Sequence, residues 1–235
     1  DIFMKKLIAF FLALTMAVSM AGCAGSSAAD SSEKTESSAP TASSEASAPE
    51  ASKPTTDPSG AEMSIPDSID SIVCLSPAVN EVLIALGVGD SLVAYDTQSV
   101  GLEGIPADLP TLDMMQPDME TLASLKPDVL FVSNMTLYDQ ENPFQQLIDM
   151  GVCVLCVPSA NSIAEIESSL SFIAAAVGKS AEGDALIGGM QAELDRIAAI
   201  GESITEKKTV YFEIGAAPNL YSFGSGVFLN EMIEL

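Results

Sequence analysis

Between residues 72 and 157, short β-branched runs alternate with stretches whose apolar residues recur every three or four positions. That alternation is the strongest constraint on the fold, because it describes a parallel sheet with helices on its faces. The first unit is the strand 72–75 (IVCL), followed by Ser76 at a cap position and Pro77 at the first helical position. Val79, Val82, Leu83 and Leu86 then recur at helical spacing, and Gly87 stops the helix. A second strand is predicted over 92–95, joined by a long loop to a helix beginning near Pro117 with Met119, Leu122 and Leu125 inward. A third follows over 128–133, then a short helix around Phe144, Leu147 and Ile148, then a fourth strand over 152–157.

Two helices in succession break this rhythm and mark a boundary. Ser162 and Glu165 form a capping box ahead of the stripe Ile163, Ile166, Leu170, Ile173 and Val177, which Gly178 ends. The second helix, over about 181–200, spans about 30 Å at 1.5 Å per residue, enough to bridge two lobes. Beyond it, residues 209–214 read as a strand, then a Gly/Pro/Asn-rich loop, then a helix from about Gly226. One βα unit cannot cover its own apolar faces, so this part is expected to be the start of a truncated lobe.

The other end is not fold-forming. Lys5 and Lys6 precede an apolar run over 7–18, too short for a stable span, and Met20-Ala21-Gly22-Cys23 closes it as a bacterial lipoprotein signal closes before an acylated cysteine. The Ser/Ala/Thr/Pro/Glu-rich stretch that follows cannot bury enough apolar surface to offset its chain entropy, so it reads as a disordered tether. The expected organisation is a signal peptide over 1–22, lipidated Cys23 and tether over 23–62, an N-terminal α/β lobe over 63–179, an interdomain helix over 180–203, and the start of a C-terminal lobe over 204–235.

A net charge of -24 with no histidine argues against nucleic acid and anionic membrane surfaces as partners. It also leaves no imidazole to serve as catalytic base or zinc ligand. Gly87-Val88-Gly89 follows a helix rather than a strand, and Gly224-Ser225-Gly226 lacks a nucleophile-elbow context. No catalytic or metal-ligating residue is assigned. Cys153 and Cys156 mimic a redox motif, but three residues apart in a strand they point to opposite faces and read as core thiols, as does Cys74.

In a parallel α/β sheet, ligands collect at the carboxyl ends of the strands. Position alone therefore selects Ser76, Pro77 and Asn80 after the first strand and Tyr95, Asp96, Met114, Met115 and Gln116 after the second. Asn134 and Tyr138 follow the third, and Tyr221 and Phe223 lie in the later loop. Between residues 72 and 157 the sequence holds 12 acidic residues and a single base, Lys126, at the opposite end of its strand. The loops toward a cleft offer acceptors and soft apolar contacts but no cation, which favours a neutral or cationic ligand over a tri-anionic catecholate.

Residues 72–86 (IVCLSPAVNEVLIAL), 87–94 (GVGDSLVA), 117–130 (PDMETLASLKPDVL), 221–226 (YSFGSG) and 228–231 (FLNE) together resemble the helical-backbone class of periplasmic binding proteins, which serves importers of cobalamin, haem and iron-siderophore complexes. The resemblance covers residues 65–235. It implies two α/β lobes joined by one rigid helix, with the ligand, a corrinoid, haem or ferric chelate, held between them and no cofactor required. It also implies a monomer anchored outside the cytoplasm by lipidated Cys23, working with an ABC-importer permease and its ATPase. Glu120 matches the acidic position that docks on the permease in that class. An extracytoplasmic enzyme or ligand sensor on a similar scaffold, or a structural lipoprotein that binds nothing, are the alternatives. Replacing the anchor residue in Cys23→Ser is expected to move the protein from the membrane fraction to the soluble fraction without lowering its melting temperature.

Overall fold

A computed structural model describes residues 53–136, 142–215 and 217–235. The signal, Cys23, most of the expected tether and Tyr138 lie outside the described residues. Five parallel strands form one sheet in the order β3-β2-β1-β4-β5. They are β1 (Ile72–Cys74), β2 (Leu92–Asp96), β3 (Thr111–Leu112), β4 (Val129–Val132) and β5 (Cys153–Cys156). The helices α1 (Pro77–Ala85), α2 (Met119–Leu125) and α3 (Gln145–Asp149) fill the connections, followed by α4 (Ile163–Ala176), α5 (Ser180–Ser203) and α6 (Phe228–Glu234). β3 was not anticipated. It is two residues long within the predicted loop, and it gains strand geometry only by pairing Thr111 with Tyr95 and Leu112 with Asp96.

β1 lies at the point where strand order reverses. The chain steps from β1 to β2 in one direction, then returns past β1 to β4. Right-handed crossovers running in opposite directions put their helices on opposite faces. Accordingly, Val79 and Leu83 of α1 and Leu86 at its C-cap pack with Ile72, Cys74, Val129 and Phe131, joined by Ile173 and Ala174 of α4. Leu122 of α2 and Leu147 of α3 pack with Val73, Leu75, Leu130 and Val132 on the other face. A one-residue register shift lies between the Ile72–Leu92 and Val73–Ala94 pairs.

The helix ends follow the sequence closely. α2, expected to begin near Pro117, begins at Met119 with Asp118 as its cap, the carboxylate accepting from the N–H groups of Glu120 (2.9 Å) and Thr121 (3.0 Å). At α4, Ser162 Oγ accepts from Glu165 N–H as expected (3.1 Å), but Glu165 reaches back one residue further, to the N–H of Asn161 (2.7 Å). Lys126 ends α2 in the left-handed region (φ 46°), and Pro127 prevents continuation.

The folded body begins inside the stretch expected to be tether. Asp57, 5 % exposed, accepts from the N–H groups of Ser59 (2.9 Å) and Ala61 (3.0 Å) and from that of Cys156 on β5 (2.9 Å). A bridge pairs Thr56 with Glu62 around that turn. One carboxylate thus organises a turn and satisfies an N–H of an edge strand, which composition does not reveal. The later region departs in the other direction. Residues 209–214 form no strand, and Val210, Tyr211 and Ile214 are exposed, because among the described residues the segment meets only the nearby loop, through Ile214 N–H to Tyr221 O, Ser222 Oγ to Phe212 O and the bridge between Gly215 and Tyr221, and no strand ladder. A strand needs a partner ladder, however strong its β-propensity.

α5 is a continuous helix of 24 residues, about 36 Å long at the usual rise. It meets α4 at Gly183, where a side chain would collide with Ala174 Cβ, whereas nothing lies near Gly188 or Gly189. Gly183→Ala is therefore expected to destabilise the fold by about 1–3 kcal/mol through overpacking despite its better helix propensity. Gly188→Ala on the same helix should stabilise it by about 0.5–1 kcal/mol. Urea melts of the two variants check the pair; equal shifts of one sign would show that no close approach exists at Gly183.

Candidate functional site

The carboxyl ends of the strands divide into two regions of different character. Asn80 of α1 and Asp96 at the end of β2 are both 0 % exposed and bonded to each other, Asn80 Nδ2 donating to Asp96 Oδ2 at 2.8 Å. Asn80 also donates to Ser99 Oγ (3.0 Å), and Ser99 Oγ donates to Asp96 Oδ2 (2.7 Å). The second Asp96 oxygen caps the turn Thr97–Ser99 by accepting from the N–H groups of Gln98 (2.9 Å) and Ser99 (3.0 Å). A buried carboxylate with this many donors acts as a structural node that ties α1 to β2. Tyr95 beside it is buried in the sheet.

Around β1, β4 and β5 the arrangement is open. Ser76, Ser133 and Ser159 stand at the ends of these three strands, beside a cavity of about 160 Å³ whose walls include Val79 and Val82 of α1 and Ile166, Leu170 and Ile173 of α4. Ser76 is buried and its side chain makes no capping bond to α1; Pro77 at N1 takes the place of one orphan donor. Ser133 is 6 % exposed and, among the described residues, its Oγ has no partner, nor has Thr136 Oγ1 nearby in sequence. Asn134 Oδ1 accepts from Ser159 N–H (3.1 Å), joining the loops after β4 and β5. The sequence reading passed over Ser133 and residues 157–160, although the rule that selected the other loops applies equally at the end of β5.

The remaining candidates lie apart from this cavity's lining. Asp113 Oδ1 accepts from the N–H groups of Met115 (2.7 Å) and Gln116 (3.1 Å), which leaves Met115 and Gln116 exposed and Met114 turned partly into the core. Tyr221 is exposed, and Phe223 packs on Phe212 with ring centroids 5.1 Å apart. α6 is tied to the site by Glu231, whose carboxylate accepts from Ile163 N–H (2.8 Å), one of the free donors at the start of α4. Glu120 is exposed in the first turn of α2.

Burial, with a smaller contribution from Asp57, pushes the Cys153 and Cys156 thiols up to about 11, and burial raises Cys74 as well, so all three are protonated and unreactive at neutral pH. Cys153 belongs to one core face and Cys156 to the other, as the strand period requires. Among the described residues no three His, Cys, Asp or Glu side chains gather as a metal site.

The family model described as periplasmic binding protein matches residues 72–235. An uncharacterized ABC transporter substrate-binding lipoprotein of Bacillus subtilis is 29% identical over 184 residues, which is 76% of this chain and 57% of that one. The chain thus spans little more than half the length of that relative. A possible iron-binding (periplasmic solute-binding) protein from Staphylococcus epidermidis superposes with a TM-score of 0.61 at 24% identity, covering 71% of this chain and 66% of that one. A periplasmic haem-binding protein of Vibrio cholerae gives 0.51 at 26% identity, covering 56% of this chain and 50% of that one.

The Asn80 node yields a stability prediction. Asn80→Ala strands the buried Asp96 and Ser99 and should lower unfolding free energy by about 1–3 kcal/mol. Urea denaturation measures it; an unchanged midpoint would remove the structural role assigned to that triad.

Proposed function

Because the chain belongs to the periplasmic binding protein family, we infer that it is the ligand-capturing component of an ABC importer, held outside the cytoplasm by a lipid on Cys23 and delivering its cargo to a permease driven by an ATPase. The observation that carries this reading is the meeting of three strand ends, at Ser76, Ser133 and Ser159, on one apolar cavity where strand order reverses. The site contains hydroxyls and aliphatic walls and no activated nucleophile, which suits capture and release rather than turnover.

The cargo is a cobalamin-like compound or an iron chelate, haem included. The acidic loops and the single Lys126, set at the amino end of the sheet beside Asp128, favour a neutral or cationic form of it. Glu120, exposed at the start of α2, is the permease contact, and the protein acts as a monomer. Titration of the full chain with cyanocobalamin, haem, a ferric hydroxamate and a tri-anionic ferric catecholate tests the reading. One of the first three should bind tightest. Binding of the catecholate alone would overturn the charge argument, and release of a chemically altered ligand would point to an enzyme. Glu120→Arg should lower uptake in cells while leaving the dissociation constant of the same ligand unchanged.

A further inference from the structure

A cavity lies between α1 and α4 at the carboxyl end of the sheet. Its volume of about 160 Å³ is comparable to that of cavities that admit a benzene-sized guest. No charged side chain lines it; Val79, Val82, Ile166, Leu170 and Ile173 make its walls aliphatic. At its edge Ser133 is almost fully buried, with an Oγ that has no partner among the described residues, a group that interiors ordinarily satisfy. Ala78 and Ser159 on the rim are exposed, which leaves an entrance at the carboxyl end of the sheet.

Resting on the reading above, we propose that this cavity is a subsite for an uncharged apolar arm of the ligand, a ring or branched alkyl group of about six heavy atoms, with Ser133 Oγ hydrogen-bonding a polar atom adjoining that arm. The apolar walls give the arm its affinity, and the lone hydroxyl orients it. A ligand whose periphery is charged on every side gains nothing here, because a charge entering the cavity would be desolvated without a partner.

Benzene is the probe for the subsite, and the ligand panel is the probe for its use. In methyl NMR of the full chain, benzene should saturably shift the signals of Val82, Ile166 and Leu170, and Val82→Phe, which fills the space, should abolish the effect. For whichever of cyanocobalamin, haem or ferric hydroxamate binds, Val82→Phe should weaken affinity by about tenfold or more. Ser133→Ala should weaken it by about three- to tenfold. Ser169→Phe, filling the cavity from α4, provides the same test where Val82→Phe fails to fold. Absence of any benzene-induced shift overturns the proposal. So does ligand affinity unchanged by both filling variants, which leaves the transport reading intact. Should no panel ligand bind the unmodified chain, the transport reading falls, and the assignment of the cavity to a ligand arm falls with it even if benzene enters.

Discussion

The structure depends on β1 being buried on both faces. Ile72, Val73 and Cys74 are essentially inaccessible, flanked by β2 on one side and β4 on the other, and covered by helices above and below. A strand in that position tolerates no unpaired polar group, so its side chains are all apolar and its ladder continues into Leu75, whose N–H donates to Phe131 O at 2.8 Å. The direction of the chain on leaving β1 then determines the rest. Going one way it lays α1 on the first face; returning past β1, it lays α2 and α3 on the second, and the loops diverge where the two windings meet. The cavity lies beside this divergence.

The loops at the carboxyl end of the sheet differ in how their polar groups are satisfied. Beside β2, Asp96, Ser99 and the Asn80 amide N–H use one another, while Asn80 Oδ1 is left without a partner among the described residues. After β4, Ser133 and Thr136 keep hydroxyls without partners although both are buried. A buried hydroxyl left alone costs free energy that a ligand can recover, whereas disrupting the Asp96 node would cost more than a contact returns. Position at a strand end selects these loops as a set and does not distinguish their members. Asn80 and Asp96 serve the scaffold, and Ser133, which the sequence reading passed over, has the free hydroxyl.

The sequence was most legible where a single period governed several residues. The spacing of Val79, Leu83 and Leu86, the β-branched runs of β1, β4 and β5, and the glycines at 87 and 178 all act locally, and each produced the expected element with ends shifted by a residue or two. What escaped were features that exist only through a distant partner. β3 is a strand because Tyr95 and Asp96 lie beside it, the turn at Asp57 is ordered through Cys156, 99 residues away, and Glu231 finds Ile163 across 68 positions. The failure at residues 209–214 is the same effect reversed, since strong β-propensity there meets no strand to pair with among the described residues.

The two cysteines of β5 show how much a period can decide. Their spacing in sequence matches a redox pair, yet a strand alternates faces every residue, so positions three apart are separated by the sheet itself. Cys153 lies with Ile72, Phe131 and Leu155 under α1 and α4, and Cys156 with Val132 and Leu147 on the other side. Neither can reach the other without dismantling the ladder between Leu130 and Val154 and between Phe131 and Leu155. Desolvation keeps both as thiols rather than thiolates, and the thiolate is the form that oxidants attack. For a protein working in an oxidising compartment, as proposed, that combination lets free cysteines serve as small core residues. Asp57 reinforces it, because the carboxylate that accepts from Cys156 N–H also acts on both thiols electrostatically and raises their pKa further. The turn that closes the edge of the sheet thus also helps keep its sulfur atoms inert.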